Sequence, residues 1–374
     1  MSETHAESAA PPIAVPTSRR KVVKLSPWQW ARANLFSSPL DVFLTVAVVA
    51  LLAYVIPPVL RWTVLDASWH GQTRADCTGE GACWVFVKTH IMQFLYGFYP
   101  DGQHWRINLA GSILAVWGAA SRFLPAQRAR HVAAATLLCV YPFIAFTLLS
   151  GGVFGLEHVE TTRWGGLTLT LVVALTGITG SLPLGVLLAL GRRSNMVIVR
   201  RLCVAFIELW RGVPLITVLF MASVMLPLFL PGGITVDKLV RALVGVTLFS
   251  AAYMAEVVRG GLAAIPKGQY EAAAALGLGY WKTTGLIVLP QAMRLVIPGI
   301  VNTFIGLFKD TTLVLVVGMF DLLGIVQTAS TDAEWLGLSL EGYAFAGTIF
   351  WLFCFGMSRY SARLERRLAV GRRA

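Results

Sequence analysis

The most pointed chemistry lies in residues 259–290, RGGLAAIPKGQYEAAAALGLGYWKTTGLIVLP. At its centre Glu271 is followed by Ala272, Ala273, Ala274 and Ala275, then Leu276 and Gly277. Alanine is the strongest helix former, so 269–277 is predicted to be a short helix. Pro266 and Gly268 stand before it, and Gly277 and Gly279 can end it. Four alanines leave a narrow rod that another protein can approach closely. Glu271, placed in the first turn, complements the helix dipole and can also meet a partner's arginine or lysine. In the plainer reading Glu271 stabilises only its own helix and the alanines supply only propensity. Neither reading points to bond making.

A second group of charges lies in or beside apolar runs: Glu208, Arg211, Glu256, Arg259, Lys309 and Asp310. Charge at membrane depth is costly and marks function by default. Glu208/Arg211 and Glu256/Arg259 are spaced i, i+3, so each can be a self-neutralising pair on one helix. Lys309-Asp310-Thr311-Thr312 brings both signs and two hydroxyls to one break after an apolar run. A zwitterion needs both signs, and broken helices build such sites in transporters. These four residues, with Glu208 and Glu256, are therefore candidates to line a path. The alternative is that Lys309 and Asp310 pair and stabilise the break.

Cys77 and Cys83 flank a five-residue polar loop and can form a disulfide if it faces an oxidising compartment. Cys139, Cys203 and Cys354 fall in apolar runs and read as small buried thiols. A zinc site needs more ligands than the Cys77/Cys83 pair, and His70 and His90 lack finger-like spacing. No metal, no cofactor and no catalytic residue is expected. A phosphate-binding loop needs Gly-Lys-Ser/Thr, and Gly-Lys occurs nowhere in the chain. The six histidines are scattered, with no HExxH and no GxSxG.

The elements that must position these residues follow from composition. The chain is 56% hydrophobic and 13% charged, against about 25% charged for soluble domains. Apolar runs at about 40–60, 107–121, 132–150, 165–190, 202–225, 239–258, 287–308 and 343–358 predict an all-α polytopic membrane protein with eight spans. With the N-terminus inside, 21 Lys and Arg fall on the cytoplasmic side and seven on the other. That bias places both termini in the cytoplasm. The net charge of +12 comes from these short clusters, so nucleic-acid binding is not expected. Residues 309–330 are apolar enough to span, yet a ninth span would put the C-terminal arginines outside. They are expected to be a half-span or a protein-buried segment. The expected domains are a flexible basic tail (1–38), a three-span extension (39–163) with a periplasmic loop (61–105), a five-span core (164–365) and a basic tail (366–374).

The spacing Glu271-Ala272-Ala273, three residues, Gly277, nine residues, Ile287, one residue, Leu289-Pro290 resembles the EAA loop of ABC-importer permeases. The segments ELWRGVP (208–214), AYMAEVVRGG (252–261), Lys267-Gly268-Gln269, Leu289-Pro290-Gln291-Ala292, Pro298 and KDTTL (309–313) are similar to the polar amino-acid branch. That branch commonly has Ser where this chain has Thr312. The likeness covers about 164–365. Cys83-Trp84, Phe98-Tyr99-Pro100 and Trp105-Arg106 resemble the longer permeases of general L-amino-acid systems, particularly their M subunit.

The resemblance implies a type I importer core of five spans in a bacterial inner membrane. It implies partners: a homologous permease, two ATPase subunits that hold ATP and Mg, and a periplasmic amino-acid-binding protein. Glu271, Ala272, Ala273, Gly277, Ile287, Leu289 and Pro290 would couple to the ATPase. The rival from another class is a stand-alone, ion-coupled secondary amino-acid transporter. It would normally hold two repeats and more intramembrane acids, and its energy source would distinguish it.

Overall fold

The computed structural model describes residues 26–77, 79–125, 127–229, 231 and 236–370. The expected tails fall partly outside these residues, and so does the side chain of Cys139. The described residues form two compact units, divided between Ala67 and Ser68.

The first unit holds α1 (Pro27–Leu35) and α2 (Pro39–Leu60). Ser26 and Gln29 form a capping box on α1, and Ser38 caps α2 through the Asp41 N–H. Helix α2 continues through a π turn to Leu65, giving a largely apolar stretch of 27 residues with none of its most apolar window buried. A helix that is apolar all round has no polar face to turn to water, so it suits lipid.

The second unit begins with α3 (Trp84–Tyr96), α4 (His104–Phe123) and α5 (Gln127–Ser150). It continues through α6 (Gly166–Arg192), α7 (Val197–Gly212), α8 (Leu215–Phe220) and α9 (Leu226–Phe229). Then come α10 (Lys238–Ala263), α11 (Lys267–Ala275), α12 (Tyr280–Lys282) and α13 (Leu289–Asp310). It closes with α14 (Leu322–Ser330) and α15 (Ser339–Val370). Helices α12 and α13 join through a π segment and run on into a 3-10 turn, one apolar stretch from Tyr280 to Val317.

Among the described residues five stretches are long and apolar enough to cross a membrane: Pro39–Leu65, Gly166–Arg192, Lys238–Ala263, Tyr280–Val317 and Ser339–Arg367. A sixth is added if α7 and α8–α9 count as one span, but they meet at 102°. The expected straight span 202–225 is therefore bent. Pro214 lacks an amide hydrogen and cannot continue the helix. Helices α4 and α5, expected as spans two and three, are not among the five. The expected boundary at 163 does not divide two bodies either. Helix α3 buries Val85, Phe86 and Phe94 against Leu322, Ile325, Val326, Trp335 and Ala346. That packing joins 68–163 to the core.

Small residues let the core helices approach closely. A side chain on Gly180 would meet Thr247, and one on Gly185 would meet Met254, which is how helices pack where no hydrophobic force drives them. Near the start of α6 three backbones meet. Gly97 (φ +67°) and Gly166 (φ +61°) have conformations that only glycine adopts cheaply. A Cβ on Gly97 would strike the backbone of Gly165. The Gly166 N–H donates to the Phe320 carbonyl at 2.9 Å, and the Leu322 N–H donates to Thr170 Oγ1 at 3.0 Å. Asp321, fully buried, caps α14 by accepting from the Gly324 N–H at 3.0 Å.

The opposite end of α6 is tied by charge. Glu256 on α10 accepts from Arg192 Nη1 at 2.8 Å and from Arg259 Nε at 2.9 Å, and Arg211 Nη1 stands 3.8 Å away. Arg192 Nη2 also lies 3.7 Å from Glu208. The expected Glu256/Arg259 pair is present. The expected Glu208/Arg211 pair is not: Glu208 meets Arg192 across helices, while Arg211 turns to Glu256 and to the Tyr253 ring. Glu256 gathers three arginines from three helices, so it draws Arg211 away from its own helical neighbour. Its side chain is 17% exposed, against 64% for Glu208. Glu256→Gln is expected to cost about 3 kcal/mol, because it strands three guanidinium groups. Glu208→Gln is expected to cost under about 1 kcal/mol. Thermal unfolding of both variants in detergent measures this, and equal losses would show that Glu256 does not organise the three arginines.

Candidate functional site

The candidate site is the surface built by α11. Pro266 sets the chain direction before Lys267, and the helix runs nine residues. It starts two residues before the expected 269, so Glu271 lies beyond the first turn and does not complement the helix start. The expected dipole role is corrected accordingly. The end is a Schellman turn. The Leu278 N–H donates to the Ala273 carbonyl at 3.0 Å, and the Gly277 N–H donates to the Ala274 carbonyl at 2.9 Å. Gly277 has φ +70° with open space where a Cβ would stand. Backbone conformation, not crowding, calls for glycine there.

The two faces of α11 differ. Ala273 is 1% exposed and faces the protein. Glu271, Ala272, Ala274, Ala275 and Gly277 are exposed. Beyond the turn, Leu276, Tyr280, Trp281 and Leu286 are exposed as well. The helix is held from behind by Gln291 Nε2 on α13, which donates to Gln269 Oε1 at 3.0 Å and to the Ile287 carbonyl at 2.9 Å. The Thr283 hydroxyl donates to the Leu278 carbonyl at 3.2 Å. Ile287 and Leu289 are half-buried and Pro290 is exposed at the start of α13. Of the seven residues expected to couple, Ala273, Ile287 and Leu289 thus seat the helix, while Glu271, Ala272, Gly277 and Pro290 are presented. The Gln269–Gln291 bond and the exposed Trp281 were not expected as parts of this surface. Bulky aromatics beside two glycines were the signal available for the second.

The Lys309–Thr312 segment lies elsewhere. Helix α13 runs through Lys309 and Asp310 without a gap and tightens to a 3-10 turn at Thr311. The helical winding ends only at Gly318, in the left-handed region at φ 70°, ψ 39°. The expected break at 309–312 is thus a change of winding, and its end comes six residues later. Thr311 Oγ1 donates to the Phe308 carbonyl at 2.8 Å and Thr312 Oγ1 to the Lys309 carbonyl at 3.0 Å. Both hydroxyls satisfy their own helix. Lys309 and Asp310 make no ion pair with each other, so the expected alternative of a stabilising pair is also corrected. Successive residues point about 100° apart on a helix. Residues 311–330 are largely buried in protein, among them Thr311, Val314, Val317, Asp321 and Ile325.

Cys77 and Cys83 are joined as a disulfide with Cα atoms 5.6 Å apart. The Cys83 N–H donates to the buried Glu341 Oε1 at 3.1 Å, which ties this loop to the start of α15. Among the described residues no group of three or more His, Cys, Asp or Glu could hold a metal.

Residues 181–370 match the family described as binding-protein-dependent transport system inner membrane component. The inner membrane amino-acid ABC transporter permease protein YhdY of Escherichia coli K12 is 60% identical over 92% of this chain and 93% of its own length. The glutamate/glutamine/aspartate/asparagine transport system permease protein BztC of Rhodobacter capsulatus is 41% identical over 96% of both chains. The glutamate/aspartate import permease protein GltK of Escherichia coli O157:H7 is 34% identical, over 54% of this chain and 92% of its own. The first two share the extension as well as the core, while GltK matches little more than half of the chain. The chain belongs to the family of binding-protein-dependent transport system inner membrane components, as a multi-pass permease.

Proposed function

We propose that this chain is one permease subunit of an ATP-driven importer of L-amino acids. Its α11 docks on a separate ATPase subunit that holds the ATP and Mg. A homologous permease completes the path, and a periplasmic amino-acid-binding protein delivers cargo. Both termini face the cytoplasm, on the side of α11. The observation that carries this reading is the two-faced α11: Ala273 buried, Glu271 and Ala272 presented, and the end fixed by Gly277. A helix held this firmly, yet offering a bare alanine ridge and one carboxylate, fits a groove lined with arginine or lysine. The names of the relatives YhdY and BztC support an amino-acid cargo. Lys309, Asp310, Thr311 and Thr312 line the path in this proposal, with the Glu256 cluster bracing α6, α7 and α10 beside it.

Two outcomes test it. Glu271→Lys with Gly277→Asp is expected to lose the ATPase from the complex pulled down from gently solubilised membranes, while the second permease stays. If the unmutated chain purifies alone and still transports after reconstitution, an ion-coupled transporter replaces the importer. Thr312→Val keeps shape and removes one hydroxyl. It is expected to lower uptake about tenfold, the loss of one hydrogen bond of ~1.4 kcal/mol. Uptake of unchanged affinity and selectivity would take Thr312 out of the path.

A further inference from the structure

Tyr270 stands beside Glu271 on α11 but belongs to the other face. It is half-buried and lies one turn from the buried Ala273, and residues three apart share a helix face. Its side chain packs against a buried cluster drawn from four helices: Ala189 of α6, Ile207 of α7, Met254 of α10 and Ile300 of α13. Its hydroxyl is buried and has no hydrogen-bond partner, so the group this side chain offers is its ring. That ring meets a cation. Arg193, the residue that caps α6, holds its Cζ 5.9 Å from the ring centre, within reach of a cation–π contact. Arg193 is exposed and, among the described residues, in ion-pair contact with no carboxylate. The residue before it, Arg192, donates to Glu256 on α10 at 2.8 Å and lies 3.7 Å from Glu208 on α7. Successive helical residues point about 100° apart, so the end of α6 holds the docking helix with one arginine and the Glu256 cluster with the other. This attachment is separate from the Gln269–Gln291 bond, which ties α11 to α13.

We propose that Tyr270 and Arg193 are positioning residues for coupling: their cation–π contact carries a displacement of α11 into the end of α6, and Arg192 passes it to Glu256 and so to α7 and α10. The inference rests on the importer reading above and names two residues outside the seven assigned to the ATPase contact. Both act through α6 and hold neither ATPase nor cargo. The contact needs a cation and a ring face, and nothing from the hydroxyl. Arg193→Lys and Tyr270→Phe therefore keep it. Arg193→Gln and Tyr270→Leu remove it and leave Glu271 and Ala272 presented as before.

The test uses the complete importer reconstituted in vesicles, with amino-acid-loaded binding protein in excess, and reads the number of amino acids moved per ATP hydrolysed. Arg193→Gln and Tyr270→Leu are each expected to lower that ratio about fivefold, the weight of one cation–π contact of ~1 kcal/mol. ATP hydrolysis and the amount of ATPase retained on purification are expected to stay near wild type. Tyr270→Phe and Arg193→Lys are expected to keep the ratio. The double variant Arg193→Gln with Tyr270→Leu is expected to be no worse than either single one, because both remove the same contact. Arg200→Gln, exposed on α7, is the control and is expected to change nothing. A loss of folding or assembly lowers transport and ATP hydrolysis together and leaves the ratio alone, so the ratio separates coupling from stability. If the Tyr270→Leu chain fails to assemble, Arg193→Gln, at an exposed position, decides by the same ratio. A wild-type ratio in Arg193→Gln, or losses that multiply in the double variant, would overturn the contact alone, since the wild-type complex still transports on ATP. A wild-type complex whose transport needs no ATP would overturn the importer reading and the contact with it.

Discussion

A backbone N–H or C=O with no partner costs several kcal/mol in hydrocarbon, and the core is arranged round the places where its chain leaves the helix. The turn at Gly318 is one of these. Gly318 itself is exposed, but Val317, Met319 and Asp321 on either side are buried in protein. Gly166 and Thr170 on α6 take up the Phe320 carbonyl and the Leu322 N–H, and Asp321 takes up the Gly324 N–H. These contacts require backbones closer than any side chain allows, which is why Gly97 and Gly166 stand there with positive φ. The bend at Pro214 meets the same constraint differently, since proline brings no N–H to satisfy.

The packing of α6 on α10 is then fixed at two ends by different chemistry. One end is held by backbone bonds among glycines. The other is held by Glu256, where α6, α7 and α10 each contribute an arginine to one carboxylate. Removing a backbone contact of the first kind needs a bulky side chain, whereas the second gives way to loss of one charge. The middle is small-to-large packing, with Gly180 on Thr247 and Gly185 on Met254.

Much of this was legible in the residues. The alanine run, with proline before it and glycine after, announces α11, and Gly277 ends it as its type suggests. The start was misplaced because Pro266 directs the chain into a helix at once, so low-propensity Gly268 is tolerated inside the first turn. Helix 197–212 was legible as helix but not as a bent partner of 215–229, since an apolar run hides a corner that only Pro214 marks. The Glu208–Arg192 contact was out of reach, because i, i+3 spacing sees one helix and this contact joins two. The packing across position 163 was out of reach for a similar reason. Composition changes there, but Phe86 and Phe94 pack against residues more than 200 positions away, and nothing local records that.

A continuous helical path links α11 to the turn at Gly318. Gln269 on α11 is tied to Gln291 on α13, and α13 runs 22 residues, about 33 Å at 1.5 Å per residue. It passes without a gap into the 311–317 turn and on to Gly318. On the proposed reading, a push on α11 therefore reaches the far end of the molecule as a shift of one rod. Two places along it depart from regular α-helix: Pro298, which brings no N–H, and the π segment Thr283–Val288 next to α11, where hydrogen bonding is out of α-register. On the proposed reading, these two irregular places let α11 follow a partner through a change of angle without breaking the backbone bonds that hold residues 318–322 in place.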